Sequence, residues 1–150
     1  VKKRWWYFKL SPFSFCVVLL CISKILQINK VMNIVITGAG KGMGKALAEK
    51  FAIPGNEIFI CARNENELAR TAREIGKAKK TRISWLATDL GEKTGADNFV
   101  KWLSAEKRIT PDILINNAGQ FIPGSVYNEP GGTLEKMISV NLYSAYYVTR

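Results

Sequence analysis

The feature that most constrains this chain is a short apolar run, residues 32–37, that ends in the turn Thr37-Gly38-Ala39-Gly40-Lys41-Gly42-Met43-Gly44 and gives way to a helical pattern over 45–52. Gly38 permits a tight turn off a strand. Gly42 and Gly44 let backbone approach a pyrophosphate and pack against a sheet. A helix that begins here offers free N–H groups and a partial positive charge. A glycine-rich turn that merely redirects the chain would look the same in isolation. The strand–turn–helix context at the start of a sheet favours a phosphate-binding role.

The rest of the chain from Met32 onward alternates in the same way. Strands are expected at 57–62, 82–88 and 112–116. Helices are expected at 65–76, with Leu68, Ala72 and Ile75 on one face and Gly76 as a stop, and at 94–107, with Ala96, Phe99 and Leu103 inward. A long helix is expected over 133–150, with Leu134, Met137, Ile138, Ala145 and Val148 as its apolar stripe. Strands alternating with helices of this length imply right-handed βαβ units and a parallel sheet. The fold class is α/β, a Rossmann-type doubly wound parallel sheet in the order 3-2-1-4, incomplete on its C-terminal side. Residues 32–150 form its dinucleotide-binding domain, present in part.

Residues 1–31 differ. They hold six basic residues and no acid, with an apolar run from Phe13 to Ile22. The run is shorter than the ~20 residues of a spanning helix, and Ser14 interrupts it. Three expectations stand here: a spurious or dispensable extension before a true start at Met32, a membrane anchor, or a cleaved signal. This segment also carries most of the formal net charge of +10. The remainder has 16 basic and 12 acidic residues, an ordinary solvated surface, and no recognition motif points to nucleic acid. Three cysteines without C-x-x-C spacing argue against a disulfide framework or a zinc site. They point to a reducing, cytoplasmic setting. There is no histidine, which excludes histidine-based triads from the visible chain.

Two further signals concern a ligand. At the end of the second strand, where NAD-selective sites often place an acid, the chain has Ala62 and Arg63. An arginine there can clamp a 2′-phosphate with its planar fork, and Lys41 in the turn can add a second charge. Both favour NADP(H) over NAD(H). They can also be plain surface charges. At the end of the fourth strand, Asn116-Asn117-Ala118-Gly119 places poor strand formers where a sheet opens onto a crevice; a generic turn has the same composition.

The turn at 37–44, Arg63, Asp89-Leu90, the N-N-A-G segment and Val140-Asn141-Leu142, in this order, resemble the short-chain dehydrogenase/reductase family over residues 32–150. The resemblance implies a hydride-transferring oxidoreductase acting on a small carbonyl or alcohol. It implies that Thr37, Gly38, Gly40, Lys41, Gly42, Met43 and Gly44 hold the pyrophosphate end of the cofactor. It assigns Asp89, with Leu90, to the adenine, and Asn117, Ala118 and Gly119 to the ribose and to bracing the sheet. Asn141 falls on the apolar stripe of the last helix, where a buried amide demands partners. The resemblance gives it a catalytic role through a water in a proton relay; satisfaction by backbone carbonyls is the plainer alternative. No metal site is expected.

The serine and Y-x-x-x-K pair of that family are absent. Tyr146 and Arg150 give Y-x-x-x-R but share a helix with Asn141, so they, Tyr143 and Tyr147 are assigned to packing or subunit contact. The expectation is a fragment that lacks turnover. Its full-length form would be a homo-oligomer through the 133–150 helix. The rival is a non-catalytic dinucleotide-binding or interaction module.

Overall fold

The computed structural model describes residues 31–150 apart from Val126. The expectations for residues 1–30 lie outside the described residues. Four parallel strands, β1 (Asn33–Thr37), β2 (Glu57–Ala62), β3 (Arg82–Ala87) and β4 (Ile113–Ile115), form one sheet in the order β3-β2-β1-β4, as expected. Val35 at the centre of β1 pairs with Phe59 on one side and Leu114 on the other. The connections run through α1 (Gly42–Phe51), α2 (Glu65–Lys79) and α3 (Lys93–Lys101). Among the described residues, no helix is long and apolar enough to cross a membrane.

The central strands β1 and β2 are apolar and buried along most of their length because both faces are covered, while the edge strands β3 and β4 are half-buried. Successive side chains point to opposite faces, so one sheet makes two cores. Ile34, Ile36, Ile58 and Ile60 pack with Ala48, Leu68 and Ile75 on one face. Val35, Phe59 and Cys61 pack with Phe99, Trp102 and Leu103 on the other. Trp102 stacks on Phe99 at 5.8 Å and meets the edge of Phe59 at 6.1 Å. Each fully buried side chain of this size contributes about 1.5–3 kcal/mol as an upper bound.

Asn64 caps α2: its Oδ1 accepts the Glu67 N–H at 3.0 Å, and Glu65 and Glu67 in the first turn suit the positive end of the helix. The helix does not stop at Gly76. It continues to Lys79 and ends on Lys80, whose φ is 52°. Burial of Ile75 outweighs the ~1 kcal/mol propensity cost of a glycine. A Cβ on Gly76 would lie 3.4 Å from the Thr81 carbonyl, an ordinary contact, so neither termination nor close packing requires this glycine.

The last helical segment is also not a uniform helix. It comprises α4 (Thr133–Ile138), a π turn (Ser139–Tyr143) and α5 (Ser144–Thr149). The wider turn shifts the helical phase between α4 and α5. Leu134, expected on the buried stripe, precedes it and is 54% exposed; Asn141, within it, is exposed too, while Thr133 and Ser144 are buried. Met137, Ile138, Ala145 and Val148 are half-buried, and Tyr147 and Val148 pack on the second core. A second π turn, Trp102–Glu106, closes α3.

Candidate functional site

A cleft of about 390 Å³ opens at the carboxyl ends of all four strands. The strand order reverses between β1 and β4, which is where open α/β sheets bind ligands. All the residues expected to hold a cofactor line it except Thr37 and Gly42.

The floor is made of backbone in close approach. Gly38 has a φ of 66°, and a Cβ there would lie 2.8 Å from the Ala118 Cα. A Cβ on Gly44 would meet the Gly38 carbonyl at 2.3 Å and Asn117 Nδ2 at 2.6 Å. Only glycine lets the turn after β1 and the segment after β4 interlock in this way. Thr37 explains its own absence from the lining. Its buried hydroxyl accepts the N–H groups of Asn117 (3.0 Å) and Ala118 (2.9 Å) and donates to the Ile115 carbonyl at 3.4 Å. Asn117 returns the favour, donating from Nδ2 to the carbonyls of Thr37 and Gly38, each at 3.1 Å. The asparagines after β4 therefore satisfy main-chain groups that a sheet leaves open at its end. Asn116 points away and donates to Thr149 Oγ1 at 3.0 Å.

Gly42 has a φ of 57° and open space where a Cβ would stand. Met43 beside it is 72% exposed. The carbonyl of Gly40 accepts a 2.7 Å bond from the buried Thr71 hydroxyl of α2. Cys61 also lines the cleft; burial pushes its thiol up to about 12, against a smaller lowering by a backbone bond to Gly38, so it stays protonated and offers no nucleophile.

The far end is formed by the loop after β3. Asp89 Oδ1 accepts the Gly91 N–H at 2.9 Å, and Leu90 is buried. A Cβ on Gly95 would lie 1.9 Å from the Asp89 carbonyl, so that glycine lets α3 lie against the loop. Val140 closes this end: its Cγ2 lies 2.9 Å from where a Cβ on Gly91 would stand. The rim carries the cations. Lys41 Nζ lies 3.8 Å from Glu67 Oε1, and Arg63 donates to Gln120 Oε1 at 3.4 Å.

Asn141 lies outside the cleft lining. Its Oδ1 accepts the Gln120 N–H at 2.7 Å and its Nδ2 donates to the Gln120 carbonyl at 2.8 Å. The amide expected to be buried is exposed, and its two partners are main-chain atoms of one residue. Several lining or bracing residues escaped the sequence reading: Asn64, Glu67, Thr71, Gly91 and Gly95. Thr71 had a signal, a polar residue three positions after Leu68 on the buried face of α2. Gly95 had none, because its role depends on a contact with another segment.

The profile of the short chain dehydrogenase family matches residues 32–150. The chain is 27% identical over 119 residues to a tropinone reductase homolog of Arabidopsis thaliana, covering 79% of this chain and 44% of that protein. Among solved structures, it resembles the L-sorbose reductase of Gluconobacter frateurii complexed with NADPH and L-sorbose (TM-score 0.75, 27% identity, 81% of this chain and 46% of that one). It also resembles a short-chain dehydrogenase of Sphingobium yanoikuyae in complex with NADPH (TM-score 0.71, 27% identity, 79% and 46%). The chain thus spans less than half the length of these relatives. With the parallel sheet, the interlocked glycine turn and a family match over all of residues 32–150, this chain belongs to the short chain dehydrogenase family.

Proposed function

We propose that this chain is the cofactor-binding part of an oxidoreductase that moves hydride between NADP(H), in preference to NAD(H), and a carbonyl or alcohol carbon. The observation that carries it is the cleft at the strand-order reversal, floored by backbone that only glycine permits and rimmed by Lys41 and Arg63. The residues fit a dinucleotide. The cleft reaches the start of α1 at Lys41, Met43 and Gly44, where a helix N-terminus suits a diphosphate, and Leu90 and Val140 give an apolar wall for a base near Asp89. Arg63 and Lys41 on the rim of the cleft would supply charge-assisted bonds to a 2′-phosphate. The similar solved structures complexed with NADPH support this choice. The bound nicotinamide supplies the hydride chemistry; the chain binds and orients it. Asn141 acts through Gln120, holding the segment after β4 that lines the cleft. By itself the 150-residue chain, which has no Y-x-x-x-K, holds cofactor without turnover. Pairing of full-length subunits through residues 133–150 is supported by the exposure of Leu134, Leu142 and Tyr146.

The test is equilibrium binding of NADPH and NADH to the chain. NADPH binds more tightly, and Arg63→Asp removes that preference with a loss of NADPH affinity of about tenfold or more. Equal affinities in the unmodified chain would refute the preference for NADP(H). Binding of neither nucleotide would refute the cofactor reading as a whole.

A further inference from the structure

Both rim cations already have an internal partner, and the two partners differ in kind. Arg63 meets the neutral amide of Gln120. Lys41 meets a carboxylate: Glu67 Oε1 stands 3.8 Å from Nζ, beyond hydrogen-bond reach, with the lysine side chain 82% exposed and the glutamate 32%. Glu67 is fixed from below. Its N–H is bonded to the cap Asn64, one turn after Arg63. Its side chain lines the cleft against the glycine turn, where a Cβ on Gly40 would sit 3.9 Å from Oε2. A negative charge is therefore built into the corner to which Lys41 and Arg63 would draw a phosphate.

We infer that Glu67 is a specificity-determining residue: it competes with a ligand's 2′-phosphate for Lys41 and lowers the margin by which the site discriminates NADP(H) from NAD(H). The inference rests on the function proposed above. A 2′-hydroxyl carries no charge and neither takes Lys41 from Glu67 nor is repelled by the carboxylate. A 2′-phosphate does both. The pair is loose and partly exposed, so the effect is modest. Removing the charge tightens a 2′-phosphorylated ligand by about two- to fivefold, the range of an exposed ion pair.

The probes are 2′,5′-ADP and 5′-AMP, which differ in that phosphate, titrated calorimetrically into the full chain and into Glu67→Gln. The expected result is tighter 2′,5′-ADP binding with 5′-AMP changed by less than the measurement error. The gain fades near 1 M salt, where the screening length is about 3 Å. In a Lys41→Gln background the same substitution separates the two probes by less, because only the direct repulsion of the phosphate is left, and the difference is the coupling a double-mutant cycle isolates. A helix-stability role alone would shift both probes together, and that outcome, or an unchanged ratio, overturns the inference. Arg63→Ala separates the two levels. If the unmodified chain prefers 2′,5′-ADP and Arg63→Ala abolishes the preference while Glu67→Gln leaves it untouched, only the role of Glu67 falls. If the unmodified chain shows no preference, the NADP(H) reading and this inference fall together.

Discussion

The floor and the rim of the cleft are built on opposite principles. The floor is main chain locked to main chain: Gly38 against Ala118, Gly44 against the Gly38 carbonyl, and Thr37 and Asn117 exchanging bonds across the β1–β4 seam. The rim is long charged side chains in solvent, each leaning on a partner at 3.4–3.8 Å. The floor allows almost no change because atoms are already in contact. The rim can change ligand preference at little cost to the fold because its groups are exposed. Recognition of a dinucleotide and choice between two dinucleotides are thus separable in this molecule.

The largest expected effect tests the floor. In Gly44→Ala the new methyl has two backbone atoms and an amide nitrogen within 2.9 Å, and none of the backbone can give way cheaply. A loss of about 4 kcal/mol is expected, read as a fall in the urea midpoint with an unchanged slope. Gly42→Ala is the control. Its methyl meets open space, so only the left-handed φ costs stability, about 1–2 kcal/mol. Equal destabilisation by the two substitutions would dissolve the distinction between a glycine needed for packing and one needed only for its φ. Next comes Thr37→Val, which strips the shared acceptor from the amides of Asn117 and Ala118 in a buried position. About 2–3 kcal/mol is expected, with faster hydrogen exchange at those two amides; unchanged exchange would place the brace elsewhere.

The floor was legible in the sequence and the rim's internal partners were not. A turn of glycines after an apolar run encodes its own conformation, so its place and the sheet order could be read directly. Asn117 could be read as well, because two asparagines ending a strand need main-chain partners. Glu67 could not, since its meaning depends on Lys41 lying across from it, 26 positions earlier in the chain. The last helix shows a different failure. A 3.6-residue period puts Asn141 on a buried stripe, but the π turn at Ser139–Tyr143 breaks that period, and nothing in the composition of SVNLY announces it; Leu134 lies before that turn and is exposed all the same. Asn141, expected as a buried amide that demands partners, is exposed, and its partners are the N–H and carbonyl of Gln120.

A smaller effect joins the two regions. Thr71 reaches from α2 under the rim to the Gly40 carbonyl of the floor. Thr71→Val keeps the volume nearly constant but leaves that carbonyl without its donor, at an expected cost of about 1–2 kcal/mol. The turn should also loosen, so NADPH and NADH affinities fall by the same factor. A fall confined to NADPH would move Thr71 from the floor to the selective rim.

The smallest expected effect lies behind the turn, where Lys45 of α1 donates to Glu74 of α2 at 2.7 Å. The hydrogen bond from Lys45, then its charge, holds the Glu74 carboxyl below its ordinary range. The folded state therefore binds this proton less readily than the unfolded chain. The contribution of the pair is complete above the unfolded pKa of about 4.3 and is lost as pH falls through the lower folded value. Both side chains are solvated, so the contribution is slight and screened by salt. Unfolding midpoints of the unmodified chain and Glu74→Gln should differ slightly at neutral pH and converge in acid. A gap that persists below the folded pKa would mean that Glu74 stabilises the α1–α2 contact by packing rather than by charge. The back of the turn would then belong with the contact-built floor and not with the charge-built rim.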